Sequence, residues 1–77
     1  MKSRAWHTLN YRIERLRERL ALIEEFAGFG LLQKEVSERS GQTVANVSGF
    51  FSGRNDSPLI DQAIRDLIAE KEQGGNV

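Results

Sequence analysis

Apolar residues in the first third of the chain recur at alternating spacings of three and four. This is the spacing of the a and d positions of a heptad, in which one apolar face runs along a helix. It predicts a single long helix that begins between Ser3 and Asn10 and runs to about Ala27. The apolar positions are Trp6, Leu9, Ile13, Leu16, Leu20, Ile23 and Ala27.

A second set of apolar residues lies on another side of the same helix, namely Tyr11, Leu22, Phe26 and Phe29. A helix with two apolar faces can pack one against its own domain and the other against a second copy. We therefore favour a homodimer over the alternative that both faces wrap one compact core. The residues predicted to form the dimer contact are Leu9, Ile13, Leu16, Leu20 and Ile23.

The middle of the chain predicts two short helices joined by a tight turn. The first runs from Leu32 to Ser40 and is closed by Gly41, since glycine accepts the left-handed backbone at a helix end. Thr43 is placed to cap the second helix, which carries an apolar stripe and ends at Ser52-Gly53. Two such helices describe a helix-turn-helix, whose second helix can enter a DNA major groove.

After the turn around Asn55, Ser57 and Pro58 predict the N-cap and first position of a last helix that runs to about Gln73. Its outer face is acidic, so we expect it to point away from DNA or to meet the arginines of the first helix. The fold class predicted is all-α, a single small domain of four to five helices. Its parts are a long basic helix at 1–28, the helix-turn-helix at 31–54 and a C-terminal helix at 57–73.

The segment from Gln33 to Arg54 resembles the helix-turn-helix of the Cro/repressor (XRE) family of phage and bacterial regulators. The residues that carry the resemblance are Gln33, Glu35, Val36, Ser37, Gly41, Thr43, Val47-Ser48 and Gly53-Arg54. The Ser-Gly-Phe-Phe sequence that ends the second helix also resembles, more weakly, the amino-terminal helix-turn-helix of phage Mu-type transposition ATPases. The resemblance implies a cytoplasmic, sequence-specific regulator, a repressor from a phage or mobile element, that binds double-stranded DNA as a homodimer with helix 43–52 in the major groove.

The chain departs from the family pattern at the turn, where Ser40 and Gln42 replace apolar residues. The positions that face the groove in the family are small here, and Val44 and Ala45 suit thymine methyl groups better than polar base edges. Gly49 either lets the backbone approach DNA closely or allows close packing within the protein. The predicted DNA-contacting residues are Gln33, Thr43, Val44, Ala45, Asn46, Ser48, Gly49, Arg54, Asn55, Lys2 and Arg4.

The 77-residue chain has no net charge, but its charges are unevenly distributed. Residues 1–20 carry a balance of +4 and residues 21–77 a balance of −4. For the arginines within the first helix we favour a solvated face with partners one turn away, such as Glu14 and Glu18. Lys2 and Arg4, on a short tail, are instead placed to reach the DNA backbone or minor groove.

Little in the sequence indicates catalysis, so we predict that the protein is not an enzyme and needs no cofactor. It has no cysteine, and its single histidine, His7, has no carboxylate pair at ligand spacing, so no metal site is predicted. No apolar run is long enough for a membrane span. The alternative function is a protein-interaction module, an antirepressor or docking subunit, that keeps the helix-turn-helix fold without reading DNA.

Overall fold

The computed structural model describes the backbone of residues 4–74 and the side chains of residues 8–74. Four helices follow one another and no strand occurs within residues 4–74, so the all-α prediction is confirmed. Their bounds lie within one or two residues of those expected from the turn and cap residues. The helices are α1 (Arg4–Gly28), α2 (Gln33–Ser40), α3 (Val44–Phe51) and α4 (Pro58–Gly74).

The turn between α2 and α3 has the local chemistry that the sequence indicates. Gly41 adopts a left-handed φ of 73°, and its N–H bonds to the carbonyl of Ser37. The Thr43 hydroxyl accepts the N–H of Asn46 at 3.1 Å, which satisfies one of the free donors at the start of α3. The turn is therefore stabilised on both sides by bonds within a few residues of sequence.

The end of α3 is closed by a second left-handed glycine, Gly53, at φ 86°. Its N–H bonds to the Phe50 carbonyl at 3.2 Å, and that of Arg54 to the Gly49 carbonyl at 2.7 Å. This pair of bonds is the Schellman arrangement, which reverses the chain direction after a helix. A loop then leads to α4, whose Ser57 hydroxyl accepts the N–H of Ile60 at 3.4 Å, as expected for an N-cap.

The core lies between α2, α3 and α4, with the C-terminal half of α1 packed on it. Phe50 is fully buried, and Phe51 stands edge-on to Phe26 with ring centroids 5.0 Å apart. The other side chains with no exposed surface come from all three of these helices, namely Val36, Val47, Ile60 and Ile64.

Only part of the second apolar face of α1 joins this core. Leu22 and Phe26 are buried, but Tyr11 is exposed and Phe29 is only partly covered. Every side chain from Thr8 to Glu14 is exposed. An open groove, lined in part by Tyr11 and Glu14, separates this stretch of α1 from the start of α4. The longest dimension of the molecule is 52 Å.

Two arginines of α1, Arg15 and Arg19, correct the prediction of a solvated face, whereas Arg12 and Arg17 are exposed as expected. Arg15 bonds to Asp56 and to Asp61 across the fold, each with a shortest N–O distance of 2.7 Å, and keeps Glu18 as a local partner. Arg19 is buried at 8% exposure, bonds to Asp56 at 3.0 Å and lies 5.2 Å over the ring of Phe50. These two side chains, rather than aliphatic residues, attach the middle of α1 to the loop before α4 and to the first turn of α4.

Two acidic residues of α4 are likewise not on a purely solvated face. Asp61 is mostly covered and bonds to both Arg15 and Arg65, and Glu70 pairs with Arg39 of α2. Part of the acidic surface thus meets arginines of the same chain, including one from α1. Within residues 4–74, no helix combines the length and apolar character needed to cross a membrane.

Candidate nucleic-acid interface

The first turn of α3 is a raised, solvent-facing surface. Four consecutive residues, Thr43 to Asn46, are exposed, and the Val44 side chain keeps 51% of its surface accessible. The next turn is anchored, because Val47 and Phe50 are fully buried. This alternation arises because apolar residues three apart face the core and fix which side of the helix is free.

The polar side chains of this surface are partly engaged with each other. The amide of Asn46 donates to the Gln42 side-chain oxygen at 3.3 Å. The backbone carbonyl of Gln42 accepts a hydrogen bond from the Ser37 hydroxyl at 2.6 Å. The N–H of Gln42 donates to the Ser40 hydroxyl oxygen at 3.2 Å. The two polar residues that depart from the family pattern at the turn are therefore hydrogen-bonded. Sequence reasoning did not give Gln42 this role, although its spacing of four from Asn46 was a usable signal.

Gly49 does not lie on the exposed surface, which corrects the prediction that it faces the groove. It is buried beneath the side chain of Asn55, and a Cβ at position 49 would lie 2.7 Å from the Asn55 amide nitrogen. That nitrogen donates to the Asn46 carbonyl at 3.0 Å, while the Asn55 side-chain oxygen accepts the N–H of Ser57 at 3.3 Å. Of the two alternatives for this glycine, the structure shows close packing within the protein.

Asn55 therefore has a structural role that the predicted phosphate contact did not include. Its side chain bridges the first turn of α3 to the end of the loop, immediately before α4. We call this bridge, formed by Asn55 with Asn46 and Ser57, the Asn55 clasp. It holds the exposed turn of α3 in a fixed position relative to the body.

The remaining predicted DNA contacts are distributed around this turn. Ser48 and Gln33 are half-buried, while Arg54 is exposed and its Nε donates to the Ser52 hydroxyl at 3.2 Å. At the start of α2 the Glu35 carboxylate accepts the N–H of Leu32 at 2.8 Å, so one of the free donors beside Gln33 is already used. Lys2 and the side chain of Arg4 lie outside the described residues. The backbone of Arg4 begins α1, which corrects the prediction that this residue lies on a tail.

The pKa values of Asp56, in the loop before α4, and Asp61, in the first turn of α4, are both lowered. The hydrogen bond from Arg15 lowers the pKa of Asp56. At Asp61 partial burial raises the pKa, but the bonds from Arg65 and Arg15 outweigh it and the pKa is lowered. Both carboxylates are therefore ionised at neutral pH. Among the described residues, no group of three His, Cys, Asp or Glu side chains is placed to hold a metal ion.

The predicted dimer residues form a continuous exposed face on α1. The exposed fractions are 57% for Leu9, 52% for Leu16 and 60% for Leu20. Ile13 is also exposed, at 40%, and Ile23 is half-buried. We call the set Leu9, Ile13, Leu16 and Leu20 the heptad face. It lies on a different side of α1 from Arg19, Leu22 and Phe26, which contact the body.

The chain was compared with protein-family models, with curated proteins and with solved structures, and none of the three gives a match.

Proposed function

We propose that this chain is a DNA-binding regulator of transcription, most similar to the Cro/repressor type of phages and mobile elements, and that it acts as a homodimer in the cytoplasm. The observation that carries the proposal is the exposed first turn of α3, standing on Val47 and Phe50, which are fully buried. In a helix-turn-helix this is the turn whose side chains reach base edges in the major groove.

The side chains available there favour apolar contacts over long polar ones. Val44 presents two methyl groups and Ala45 one, which match the C5-methyl group of thymine. Asn46, already bonded to Gln42, adds a hydrogen-bonding group beside them. Because so few side chains read bases directly, selectivity would depend in part on how easily the site adopts the required DNA shape.

Phosphate contacts would hold the helix in register. Backbone N–H groups at the starts of α2 and α3 suit an anion, and Gln33, Thr43 and Arg54 lie close to those helix ends in sequence. A dimer would place two α3 helices in successive major grooves, one helical turn apart. Occupying promoter DNA in this way would repress transcription.

The test is an electrophoretic mobility shift with DNA from upstream of the protein's own gene, at low and moderate salt. The variant Val44→Glu places a carboxylate against the bases and is expected to abolish the shifted band. The matched control is Ala69→Glu, which adds the same charge at an exposed position of α4. Normal binding by Val44→Glu, or no shift with the wild-type protein at low salt, would overturn the proposal.

The second candidate is a protein-interaction module that keeps this fold without reading DNA. It is favoured by the apolar character of the exposed residues, since Val44 and the heptad face would equally suit a partner's helix. This candidate predicts no mobility shift at any salt, together with loss of partner binding in Val44→Glu but not in Ala69→Glu.

A further inference from the structure

The heptad face of α1 has an internal symmetry. Ile13 and Leu16 lie on either side of the peptide bond between Glu14 and Arg15, and Leu9 and Leu20 lie further out at equal distances from it. All four side chains are at least 40% exposed. If a second α1 is laid antiparallel with its centre at this bond, every a position opposes a d position of the partner.

We propose that two copies of the chain pair through antiparallel α1 helices in this register. Leu9 packs against the partner's Leu20, and Ile13 packs against the partner's Leu16. The same two contacts recur on the other side of the two-fold axis. This inference rests on the homodimer in the proposed function, but it needs no DNA.

Charge distinguishes the antiparallel arrangement from the parallel one. In a parallel pair Arg12, at a g position, lies beside the partner's Arg17 at the facing e position, and this like-charge contact occurs twice. In the antiparallel pair e positions face e positions and g positions face g positions, so Arg17 reaches the partner's Glu14 on the neighbouring b position. Arg12 then lies beside the partner's Arg19, whose charge is already paired with Asp56. Antiparallel alignment also sets the positive end of each helix dipole beside the negative end of the other.

The way each body attaches to its own α1 favours the same orientation. The C-terminal half of α1 is supported by the core through Leu22 and Phe26, whereas no side chain from Thr8 to Glu14 is buried. An antiparallel pair packs the unsupported half of each helix on the supported half of its partner. A parallel pair would leave the two unsupported halves with only each other.

The test is disulfide cross-linking. Because the sequence contains no cysteine, only the introduced thiols can form a disulfide. The variants Leu9→Cys and Leu20→Cys are purified, one of them labelled with nitrogen-15, mixed under reducing conditions to allow exchange, and oxidised at micromolar concentration. The antiparallel register predicts that the major cross-linked product is the mixed species, with the intermediate mass. Either variant alone is expected to cross-link poorly.

The matched control uses Tyr11→Cys with Glu18→Cys. These positions are also symmetric about the Glu14–Arg15 bond but lie on the opposite side of the helix. They are expected not to cross-link. Efficient cross-linking of Leu9→Cys with itself would establish a parallel pair and overturn the proposal. A wild-type protein that sediments as a monomer at the same concentration would also overturn it. A failed mobility shift would leave it intact, because no DNA is present in this experiment.

Discussion

At the scale of single residues, the glycine at position 49 and the side chain of Asn55 depend on each other. Glycine inside a helix costs about 1 kcal/mol relative to alanine, and α3 has only eight residues in which to recover that cost. The space that a Cβ would occupy is filled by the Asn55 amide, whose hydrogen bond to the Asn46 carbonyl offsets part of the cost. The glycine is therefore a requirement of the Asn55 clasp.

A double-mutant cycle tests this relation. In the wild-type background we expect Gly49→Ala to change the free energy of unfolding by less than about 1 kcal/mol, because the gain in helix propensity is offset by the displaced clasp. In an Asn55→Ala background the same change should stabilise the protein by about 1 kcal/mol. Chemical denaturation gives all four free energies, and additive effects would show that the two residues are independent.

Arg19 acts through its packing as much as through its charge. Its guanidinium covers Phe50, and its Nε has no hydrogen-bond partner among the described residues. Asp56 would keep Arg15 as a partner if Arg19 were removed. We therefore expect Arg19→Met, which preserves the buried chain, to cost less than about 1 kcal/mol, while Arg19→Ala costs about 2–3 kcal/mol. Thermal unfolding of the two variants measures the difference, and equal losses would indicate that the ion pair dominates.

At the scale of elements, the helix ends could be predicted from sequence and the attachment of α1 could not. Gly41, Thr43 and Ser57-Pro58 act within three or four residues of themselves, so their effect is visible in a short window. The partners of Arg15 lie more than forty residues away in Asp56 and Asp61. Arg15 also bonds to Glu18 within α1, and no local pattern shows that it reaches across the fold as well.

The heptad pattern of α1 shows a related limit. It correctly separated two faces, and Leu22 and Phe26 of the second face are indeed buried. Tyr11 has the same spacing but is exposed, because an open groove lies between it and the start of α4. Periodicity gives the side of a helix on which a residue lies, whereas the length over which that side is covered depends on the rest of the fold.

The attachment of α1 should weaken in acid. The pKa values of Asp56 and Asp61 are lower in the folded protein, so the unfolded chain takes up protons first as the pH falls. The stabilisation is complete above the unfolded pKa of about 4 and is lost as the pH drops through the lower folded values. Asp56→Asn should therefore be less stable than the wild type at neutral pH and lose less on acidification. The control is Asp66→Asn, which removes a carboxylate that bonds to Gln62 within α4. Identical pH profiles of stability for the wild type and Asp56→Asn would contradict the role given to Asp56.

At the scale of the whole molecule, the exposed heptad face predicts self-association. Covering four half-exposed aliphatic side chains on each copy contributes roughly 1 kcal/mol per side chain, which exceeds the cost of association only modestly. We expect a reversible dimer that Leu16→Glu converts to a monomer in sedimentation equilibrium. Tyr11→Glu, on the opposite side of α1, should leave the dimer unchanged. A Leu16→Glu protein with the wild-type mass would remove this surface as the dimer contact.

The neutral net charge has a measurable consequence for DNA binding. Arg15, Arg19 and Arg39 are engaged by carboxylates of the same chain, so fewer cations are free to bind phosphates than the sequence alone suggests. We expect the logarithm of the binding constant to fall with the logarithm of salt concentration with a slope of about −2 to −4 per protomer. Titrations at several salt concentrations measure it, and a slope near that of strongly basic domains would indicate that phosphates are also bound by cations distant from α3.

The loop between α3 and α4 carries Asn55 and Asp56 side by side. The first side chain bonds to the exposed turn of α3, and the second accepts hydrogen bonds from Arg15 and Arg19 of α1. The helices that we propose to pair and to contact DNA, α1 and α3, are thus joined through two adjacent residues. If both proposed contacts form, thermodynamic reciprocity requires that any strengthening of the dimer by DNA equals the strengthening of DNA binding by dimerisation.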